Sequence, residues 1–305
     1  MIADMHCDSL LKVSAERGLL SDYNVSRKKP FLQFTAAFVP AGKDTPAARR
    51  RKLIGYLDTY LSETHRCDLV RVDCAAELHR ALDFSLSATV LTVEGGGGLF
   101  ADSEELQTLY RAGLRVLGLC WDSNELAAGA WDSCDTGLTE EGKKLARTAS
   151  EMGITPDVSH LSDRSFDELL DTVRYPVLAT HSNFRAVTNS PRNLTLSQAE
   201  RIVARGGVIG LNLCPAFLTE KEHADATDIL RHVDYALSHL GDRALAFGCD
   251  IDGIEEYPRG FEPTGSIHDK LCDLLLSHYP AKTVERIAGE NVTDFLRSNL
   301  FSVDN

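Results

Sequence analysis

Histidine and carboxylate residues recur in this sequence where short apolar runs end. His6 and Asp8 follow the first run, Glu94 the third, His160 the fifth and His181 the sixth. Residues i and i+2 of a strand point the same way, so His6 and Asp8 can hold one metal ion together. Imidazole and carboxylate ligands with few thiolates nearby indicate zinc, or a similar divalent ion, bound for catalysis.

Glu94 precedes a run of four glycines, Gly95 to Gly98, which lets the backbone approach whatever the carboxylate holds. Glutamate is also long enough to bridge two ions, and paired metals about 3.5 to 4 Å apart can share a hydroxide and polarise a carbonyl. A phosphate-binding loop is the alternative for these glycines. It is excluded because no Lys-Ser or Lys-Thr pair follows them.

Each of these motifs is weak alone, since a single histidine in an apolar run is more often a core residue. Their joint position at the ends of four different runs predicts a metal site. The other histidines lie in helical or loop stretches, where a surface position is expected: His65, His79, His223, His232, His239, His268 and His278.

Eight apolar or β-branched runs, separated by amphipathic stretches, predict alternating strands and helices. The predicted strands are Ile2–His6, Leu32–Val39, Ala88–Val93, Arg115–Leu119, Ile154–Val158, Val177–Thr180, Gly207–Leu213 and Leu245–Gly248. The predicted helices are Ala47–Ser62, Ala75–Ala81, Ser103–Ala112, Thr139–Met152, Asp163–Thr172, Leu196–Ala204 and Ala226–Leu240.

This alternation favours an α/β fold, a closed (β/α)8 barrel, in which the carboxyl ends of the strands build the active site. An open doubly wound sheet is the alternative, but the glycine-rich fingerprint typical of its first turn does not follow His6. Since no linker or repeat divides the chain, we expect one domain over 1–305. Helices around Ile267–Ser277 and Ala281–Ser298 are expected to cover the barrel.

Composition excludes several classes of function. The formal net charge of −13 argues against a nucleic-acid partner, which would need clustered Lys and Arg. The eight cysteines form no CxxC pair, and the sequence shows neither a secretory leader nor the ~18 to 20 apolar residues of a membrane span. A cytoplasmic protein with no membrane contact is expected.

These residues resemble the membrane (renal) dipeptidase family of zinc metallopeptidases, in a bacterial, cytoplasmic form, and the likeness runs from Asp4 to about Leu296. The matching stretches are Asp4–Asp8, Val93–Gly96, Gly137–Gly142, Asp157–His160, Thr180–Asn183, Pro191–Leu194, Gly206–Asn212, Gly248–Gly253 and Gly289–Asn291. The resemblance implies a barrel of the metal-dependent amidohydrolase type, in agreement with the strand count.

The resemblance also implies roles for individual residues. Two Zn²⁺ ions per chain are expected, one bound by His6 and Asp8 and the other by His160 and His181, with Glu94 as a catalytic bridge between them. Asp250 would act as a general acid and base, passing a proton from the attacking hydroxide to the leaving amine. Arg192 would bind the substrate carboxylate, although its Pro-Arg-Asn turn could also be a surface feature.

One position departs from the family pattern. After the fourth predicted strand the family often carries a histidine that polarises the reacting carbonyl, and here Trp121 occupies that place. An indole donates one hydrogen bond but carries no proton or charge. Asn124 or the metals would then stabilise the oxyanion, or the preferred substrate differs, so Trp121 and Asn124 are candidate substrate-binding residues.

The resemblance implies hydrolysis of dipeptides, including some with a C-terminal D-residue, by an enzyme that can form homodimers. Two other interpretations stay open. The scaffold could serve another hydrolase, acting on a lactone, ester or amide, because barrel sites vary independently of the fold. A non-catalytic binding protein is the third, and retention of all five metal candidates counts against it.

Overall fold

The computed structural model of the chain describes residues 1–13, 30–99, 103–262 and 267–299. The short apolar runs form parallel strands. They are β1 (Ile2–Cys7), β2 (Phe31–Phe38), β3 (Val70–Arg71), β4 (Ala88–Glu94), β5 (Leu114–Gly118), β6 (Thr155–Asp157), β7 (Ile209–Leu211) and β8 (Leu245–Phe247).

The strands pair in the order β6-β5-β4-β2-β1-β8-β7, and β3 pairs with β4 outside this path. The two ends of the sheet meet through the segment at Leu178 and Ala179. Leu178 forms a parallel bridge with Asp157 of β6, and Ala179 forms one with Ile209 of β7. The sheet therefore curls into a barrel, which confirms the predicted fold class.

The structure differs from the predicted strands in two places. The run Val177–Thr180 lies in the barrel wall but forms only isolated bridges, so it is not a regular strand. Strand β3 was not predicted, because two residues are too few to show the alternation that indicates a strand.

Helices alternate with the strands along the chain. They are α1 (Pro46–Arg66), α2 (Ala75–Asp83), α3 (Ser103–Arg111), α4 (Glu140–Glu151), α5 (Asp163–Thr172), α6 (Leu196–Ala204), α7 (Pro215–Leu218), α8 (Ala226–Leu240), α9 (Ile267–Leu276), α10 (Ala281–Glu285) and α11 (Asn291–Asn299). A π-helical turn, Arg286–Glu290, joins the last two. Side chains of Thr139, Ser162 and Thr195 cap the helices that follow them, which fixes where each begins.

The strands approach one another more closely where glycine replaces a side chain. A Cβ at Gly210 would lie 1.9 Å from the Thr180 carbonyl oxygen, and a Cβ at Gly248 would lie 2.0 Å from the same atom. Both positions require glycine, because contacts under 3.0 Å cannot be accommodated against backbone. The wall that carries His181 is therefore packed directly against β7 and β8.

No helix among the described residues is long and apolar enough to cross a membrane. The cytoplasmic location and the single domain over 1–305 stay predictions.

Candidate metal centre

The carboxyl ends of the strands bring the five predicted metal ligands into one buried cluster. Glu94 ends β4, and its two carboxylate oxygens face different partners. Oε1 lies 2.8 Å from His160 Nε2 and 3.6 Å from His181 Nε2. Oε2 lies 3.3 Å from His6 Nε2. The carboxylate thus stands between two groups of potential ligands.

Each group is compact enough to surround one ion. Nε2 of His6 lies 3.4 Å from Asp8 Oδ2, and Nε2 of His160 lies 2.8 Å from Nε2 of His181. Ligand atoms within 4.8 Å of one another make up two sets that share Glu94. One set adds His6 and Asp8, and the other adds His160 and His181. These are imidazole and carboxylate donors, the set that divalent zinc binds in catalytic sites.

The polar atoms of the cluster show that it fits a cation. Nε2 of His6, Oδ1 of Asp8 and Oε2 of Glu94 are buried and have no hydrogen-bond partner among the described residues. Buried polar atoms normally have partners, and leaving one unsatisfied costs about 1 to 3 kcal/mol. His6, Asp8 and Glu94 lie together in one group of potential ligands, and a cation bound there would satisfy such atoms.

The charges of the first set also favour a bound cation. Burial and the Asp8 carboxylate together raise the pKa of Glu94 to about 7, against the opposing effect of His6. Burial would lower the pKa of His6, but the carboxylates of Glu94 and Asp8 outweigh it and hold that pKa well above its usual value. Both shifts mean that this cluster gains from added positive charge.

The second set supplies neutral imidazoles. Burial lowers the pKa of His160, and the positive charges of Arg192 and His6 lower it further. Burial, His6 and His160 lower the pKa of His181 in the same way. Both rings therefore stay unprotonated at neutral pH, which is the form of histidine that binds metals.

Hydrogen bonds behind His181 fix its orientation. The Thr180 hydroxyl donates to Asp157 Oδ2, so it can only accept at its 2.9 Å contact with His181 Nδ1. Nδ1 then carries the proton, and Nε2 presents its lone pair to the cluster. The other Asp157 oxygen accepts from the backbone N–H groups of Ser159 and Thr180. These bonds join the end of β6 to the segment that carries His181.

Backbone conformation at the strand ends turns the side chains into the site. His160 has φ of 71° and Asp250 has φ of 60°, values in the left-handed region that few residues other than glycine adopt. Gly95, next to Glu94, has φ of 87°, and a Cβ there would lie 2.3 Å from the Val39 carbonyl oxygen. Strained backbone of this kind concentrates at functional sites.

Asp250 lies beside the cluster, at the end of β8. Its Oδ1 is 3.8 Å from His6 Nε2, and its Oδ2 accepts a hydrogen bond of 3.0 Å from the Asn212 side chain. Burial raises the pKa of Asp250, with the Asp8 carboxylate adding to the effect while His6 opposes it. Asn212 was not singled out in the sequence, although it lies at the end of a strand like the predicted ligands.

Arg192 reaches the same cavity from the loop between Thr180 and α6. It is buried, and its guanidinium donates to the His181 carbonyl oxygen at 3.1 Å and lies 5.3 Å from the centre of the Phe217 ring. Its Nε has no hydrogen-bond partner among the described residues. The burial contradicts the surface alternative and leaves a buried cationic donor available to an anionic ligand.

The cavity at the mouth of the barrel has a volume of about 500 Å³. Arg192, His160, Asp250 and Trp121 all line it. Asn124 is not among its lining residues. The amide of Asn124 donates to the Leu119 carbonyl oxygen and accepts from the backbone N–H groups of Leu126 and Ala127. A direct substrate contact from Asn124 stays a prediction.

Two of the histidines expected at the surface are fully buried, so that prediction was wrong for them. His268 of α9 lies 2.6 Å from Asp4 Oδ2. His232 of α8 lies 3.1 Å from the Leu218 carbonyl oxygen and accepts from the Phe184 N–H. Both side chains are buried because their helices pack on the barrel. The position of a histidine along one helix does not reveal this packing.

Comparison with known proteins connects this geometry to a family. The family model for membrane dipeptidases, peptidase family M19, matches residues 2–299. The chain belongs to this family. The resemblance found in the sequence is confirmed, and with it the enzyme class, since the family consists of metal-dependent dipeptidases.

Relatives by sequence include bacterial and fungal proteins. The chain is 36% identical over 191 residues to an uncharacterised protein from the pqqA 5′ region of Klebsiella pneumoniae, covering 59% of this chain and 70% of the relative. It is 27% identical over 260 residues to an uncharacterised dipeptidase of Schizosaccharomyces pombe, covering 82% of this chain. This chain spans only 62% of the length of the Schizosaccharomyces relative.

Solved structures share the fold over nearly the whole chain. A metallopeptidase described as dipeptidase AC of family M19 is 26% identical, with a TM-score of 0.86 and 98% of both chains covered. A Rhodobacter sphaeroides metallopeptidase, 23% identical, has a TM-score of 0.83 and covers 98% of this chain and 99% of its own. That Rhodobacter protein was solved with a phosphinate mimic of the dipeptide L-Ala-D-Ala.

Proposed function

We propose that this chain hydrolyses dipeptides, including those with a C-terminal D-residue, at a site that holds two zinc ions. The position of Glu94 carries the proposal, because each of its carboxylate oxygens faces a separate set of ligand atoms. His6 and Asp8 would hold one ion, His160 and His181 the other, and Glu94 would bind both. Such a pair, when bound, polarises the carbonyl under attack and makes water a nucleophile near neutral pH.

Asp250 supports the proposal as the group that moves the proton. Its carboxylate adjoins the cluster, and its pKa is raised because burial and the nearby Asp8 disfavour the charged form. A raised pKa suits a carboxylate that must first accept a proton from water and then deliver it to the leaving amine. The amide of Asn212 holds Oδ2, which leaves Oδ1 facing His6 for the transfer.

Arg192 favours a peptide over a neutral ester or lactone. A dipeptide carries its carboxylate a short distance from the bond that is cut, and Arg192 lines the same cavity as His160 and Asp250. A guanidinium binds a carboxylate through two parallel hydrogen bonds, which fixes the substrate's position as well as its charge. The cavity of about 500 Å³ also suits a small ligand.

Trp121 would contact the substrate in place of the family's histidine. Its ring lies 6.0 Å from the His160 ring and 5.4 Å from the Phe38 ring, and its side chain is half exposed at the cavity. The indole can pack on the substrate and donate one hydrogen bond. The bound cations would then stabilise the negative charge of the oxyanion. That the chain forms a homodimer remains a prediction.

The experiment is amino-acid release from L-L and L-D dipeptides, assayed with added zinc and after chelation. Each dipeptide is paired with its C-terminal amide, which lacks the carboxylate. We expect zinc-dependent release and a loss of about a hundredfold or more in kcat/KM for the amides, because the buried Arg192 would be left unpaired.

Two variants complete the test. Arg192→Met should abolish the preference for the free carboxylate, whereas the exposed Glu222→Gln, a matched surface control, should behave as the parent. Zinc-dependent hydrolysis of lactones or esters with no release from any dipeptide would replace this proposal with the other hydrolase class.

A further inference from the structure

The cavity has two halves lined by different kinds of side chain, aromatic and acidic in one half and including Arg192 in the other. The loop between β5 and α4 contributes Trp121, Asp122, Trp131 and Asp132 to the lining. Arg192, Cys214 and Phe217 come from the loops around β7. Around the barrel these two groups of loops are separated by β6 and by the segment that carries His181. They therefore occupy different sectors of the barrel mouth, next to the metal cluster.

This separation determines which end of a bound dipeptide would lie near each group of loops. With the substrate carboxylate at Arg192 and the peptide bond at the cluster, the N-terminal residue extends towards the β5–α4 loop. The side chain of that residue then meets the two indoles and two carboxylates. Among the described residues, that half of the lining includes no Lys or Arg.

The two indoles are available to a ligand. Trp131 is 65% exposed and Trp121 is 41% exposed, and they are the only tryptophans of the chain. Exposed tryptophans that share a cavity are uncommon on a protein surface and mark binding sites. The face of an indole attracts cations more strongly than the face of any other aromatic side chain does.

The two carboxylates accept hydrogen bonds from uncharged groups. Asp132 accepts from the Ser123 hydroxyl at 2.7 Å and from the Cys134 N–H, and Asp122 accepts from the Ala41 N–H at 2.7 Å. No Lys, Arg or His nitrogen lies within 4.0 Å of either carboxylate among the described residues. The Ser123 hydroxyl and backbone N–H groups also hold the pKa of Asp132 below its usual value.

The loop that carries these groups is held in place beside the cluster. The Ala130 N–H donates to the His160 carbonyl oxygen at 2.7 Å, and the Gly129 N–H donates to the Ser123 hydroxyl at 3.0 Å. Trp131 is thus attached, through its neighbour, to a predicted metal ligand. These bonds hold the backbone that carries Trp131 next to the cluster, which lowers the cost of ordering it when a substrate binds.

We propose that Trp121, Trp131 and Asp132 form a subsite for a cationic side chain, so that the enzyme prefers dipeptides whose N-terminal residue is lysine, arginine or a similar amine. This inference rests on the proposed dipeptidase function and names the substrate class of the same site. The α-ammonium of any dipeptide lies next to the peptide bond, so it does not distinguish one N-terminal residue from another. The charge farther along the side chain is what the indoles and Asp132 recognise.

The kinetic experiment compares lysyl and norleucyl dipeptides that share one C-terminal residue, using the zinc-loaded enzyme. Norleucine has the chain of lysine without its amine. We expect kcat/KM to be about tenfold higher for the lysyl substrate. Asp132→Asn should reduce that ratio about fivefold, whereas Asp171→Asn, which removes an equal charge on the opposite surface, should preserve it. A ratio near one, a preference for norleucyl or phenylalanyl substrates, or an unchanged ratio in Asp132→Asn overturns the inference.

A binding experiment gives a second, independent result. Because both tryptophans line this half of the cavity, their fluorescence reports on it directly. We expect the lysyl dipeptide to change the emission at lower concentration than the norleucyl dipeptide. Equal affinities contradict the subsite even if hydrolysis occurs. Failure to hydrolyse any dipeptide contradicts the proposed function, and the ratio of affinities still decides the subsite.

Discussion

Two buried clusters of acidic and histidine side chains begin on the same strand, and they differ in how their carboxylate oxygens are satisfied. The metal cluster around Glu94 contains His6 and Asp8, each with a buried atom that lacks a hydrogen-bond partner among the described residues. The second cluster, Asp4 with His268 and Cys249, lies beside it. Both Asp4 oxygens are used there, since Oδ1 accepts from the His6 and Cys249 N–H groups and Oδ2 from His268 Nε2. The buried atom of that cluster without a partner among the described residues is His268 Nδ1, on the side of the ring away from Asp4.

The comparison distinguishes a cluster that would bind a ligand from a cluster that holds the backbone in place. Buried polar groups that satisfy one another stabilise one arrangement of the chain, whereas unsatisfied ones cost stability until a ligand arrives. Asp4 joins β1, the end of β8 and α9 through its three hydrogen bonds. It therefore holds the backbone from which the metal ligands and Asp250 extend.

The largest effect is expected for Glu94→Gln. The amide has one oxygen in place of two equivalent carboxylate oxygens, so it cannot serve both ligand sets. We expect kcat to fall by about 10³-fold or more and bound zinc to fall below two ions per chain. Activity assays with elemental analysis measure this, and circular dichroism should show an unchanged fold. Full metal content with full activity would contradict the assignment of Glu94.

Paired alanine variants test the difference in stability between the clusters. Asp4→Ala leaves two N–H groups and His268 without their acceptor, and we expect it to lower the free energy of unfolding by about 3 to 5 kcal/mol. Asp8→Ala removes one carboxylate from a cluster of like charges, so the metal-free protein should lose little stability. Urea unfolding of the metal-free proteins measures both. Equal losses would show that the two clusters do not differ as described.

Much of this arrangement could be predicted because it follows from one rule. The carboxyl ends of parallel strands meet at one face of a barrel, so ligands that follow four separate runs had to converge. His268 could not be predicted, since it reaches Asp4 from a helix 264 residues away in the sequence. That contact depends on how α9 packs on the barrel, and no local pattern encodes it.

His232 lies outside both clusters and shows how burial of a single histidine makes the free energy of unfolding depend on pH. Burial lowers the pKa of His232 to about 4. The folded protein keeps this ring neutral, so its contribution to stability is complete above about pH 6.5 and is lost as pH falls towards 4. We expect a loss of about 3 kcal/mol over that interval. Because His160 and His181 also have lowered pKa values, unfolding measured against pH should keep a slope in His232→Gln, but one smaller than the slope of the parent by this amount.

The smallest effect is expected for Cys249→Ala. The Cys249 sulfur lies 3.7 Å from His268 Nε2, so this thiol, Asp4 and His268 could together be mistaken for a third metal site. The hydrogen bond to Asp4 comes from the Cys249 backbone, which the variant keeps. We expect about 1 kcal/mol of lost stability and no change in zinc content. A loss of zinc would show that the thiol binds metal and would remove the distinction between the clusters.

The loop between β5 and α4 has a consequence for how this enzyme can diverge. It carries Trp121, Trp131 and Asp132, whereas the metal ligands lie on other segments of the chain. Mutations in the loop can thus change which substrates are accepted while the hydrolytic chemistry is inherited intact. Related enzymes can acquire new substrate specificities through substitutions in a single stretch of about twenty residues, which is how barrel enzymes commonly diversify.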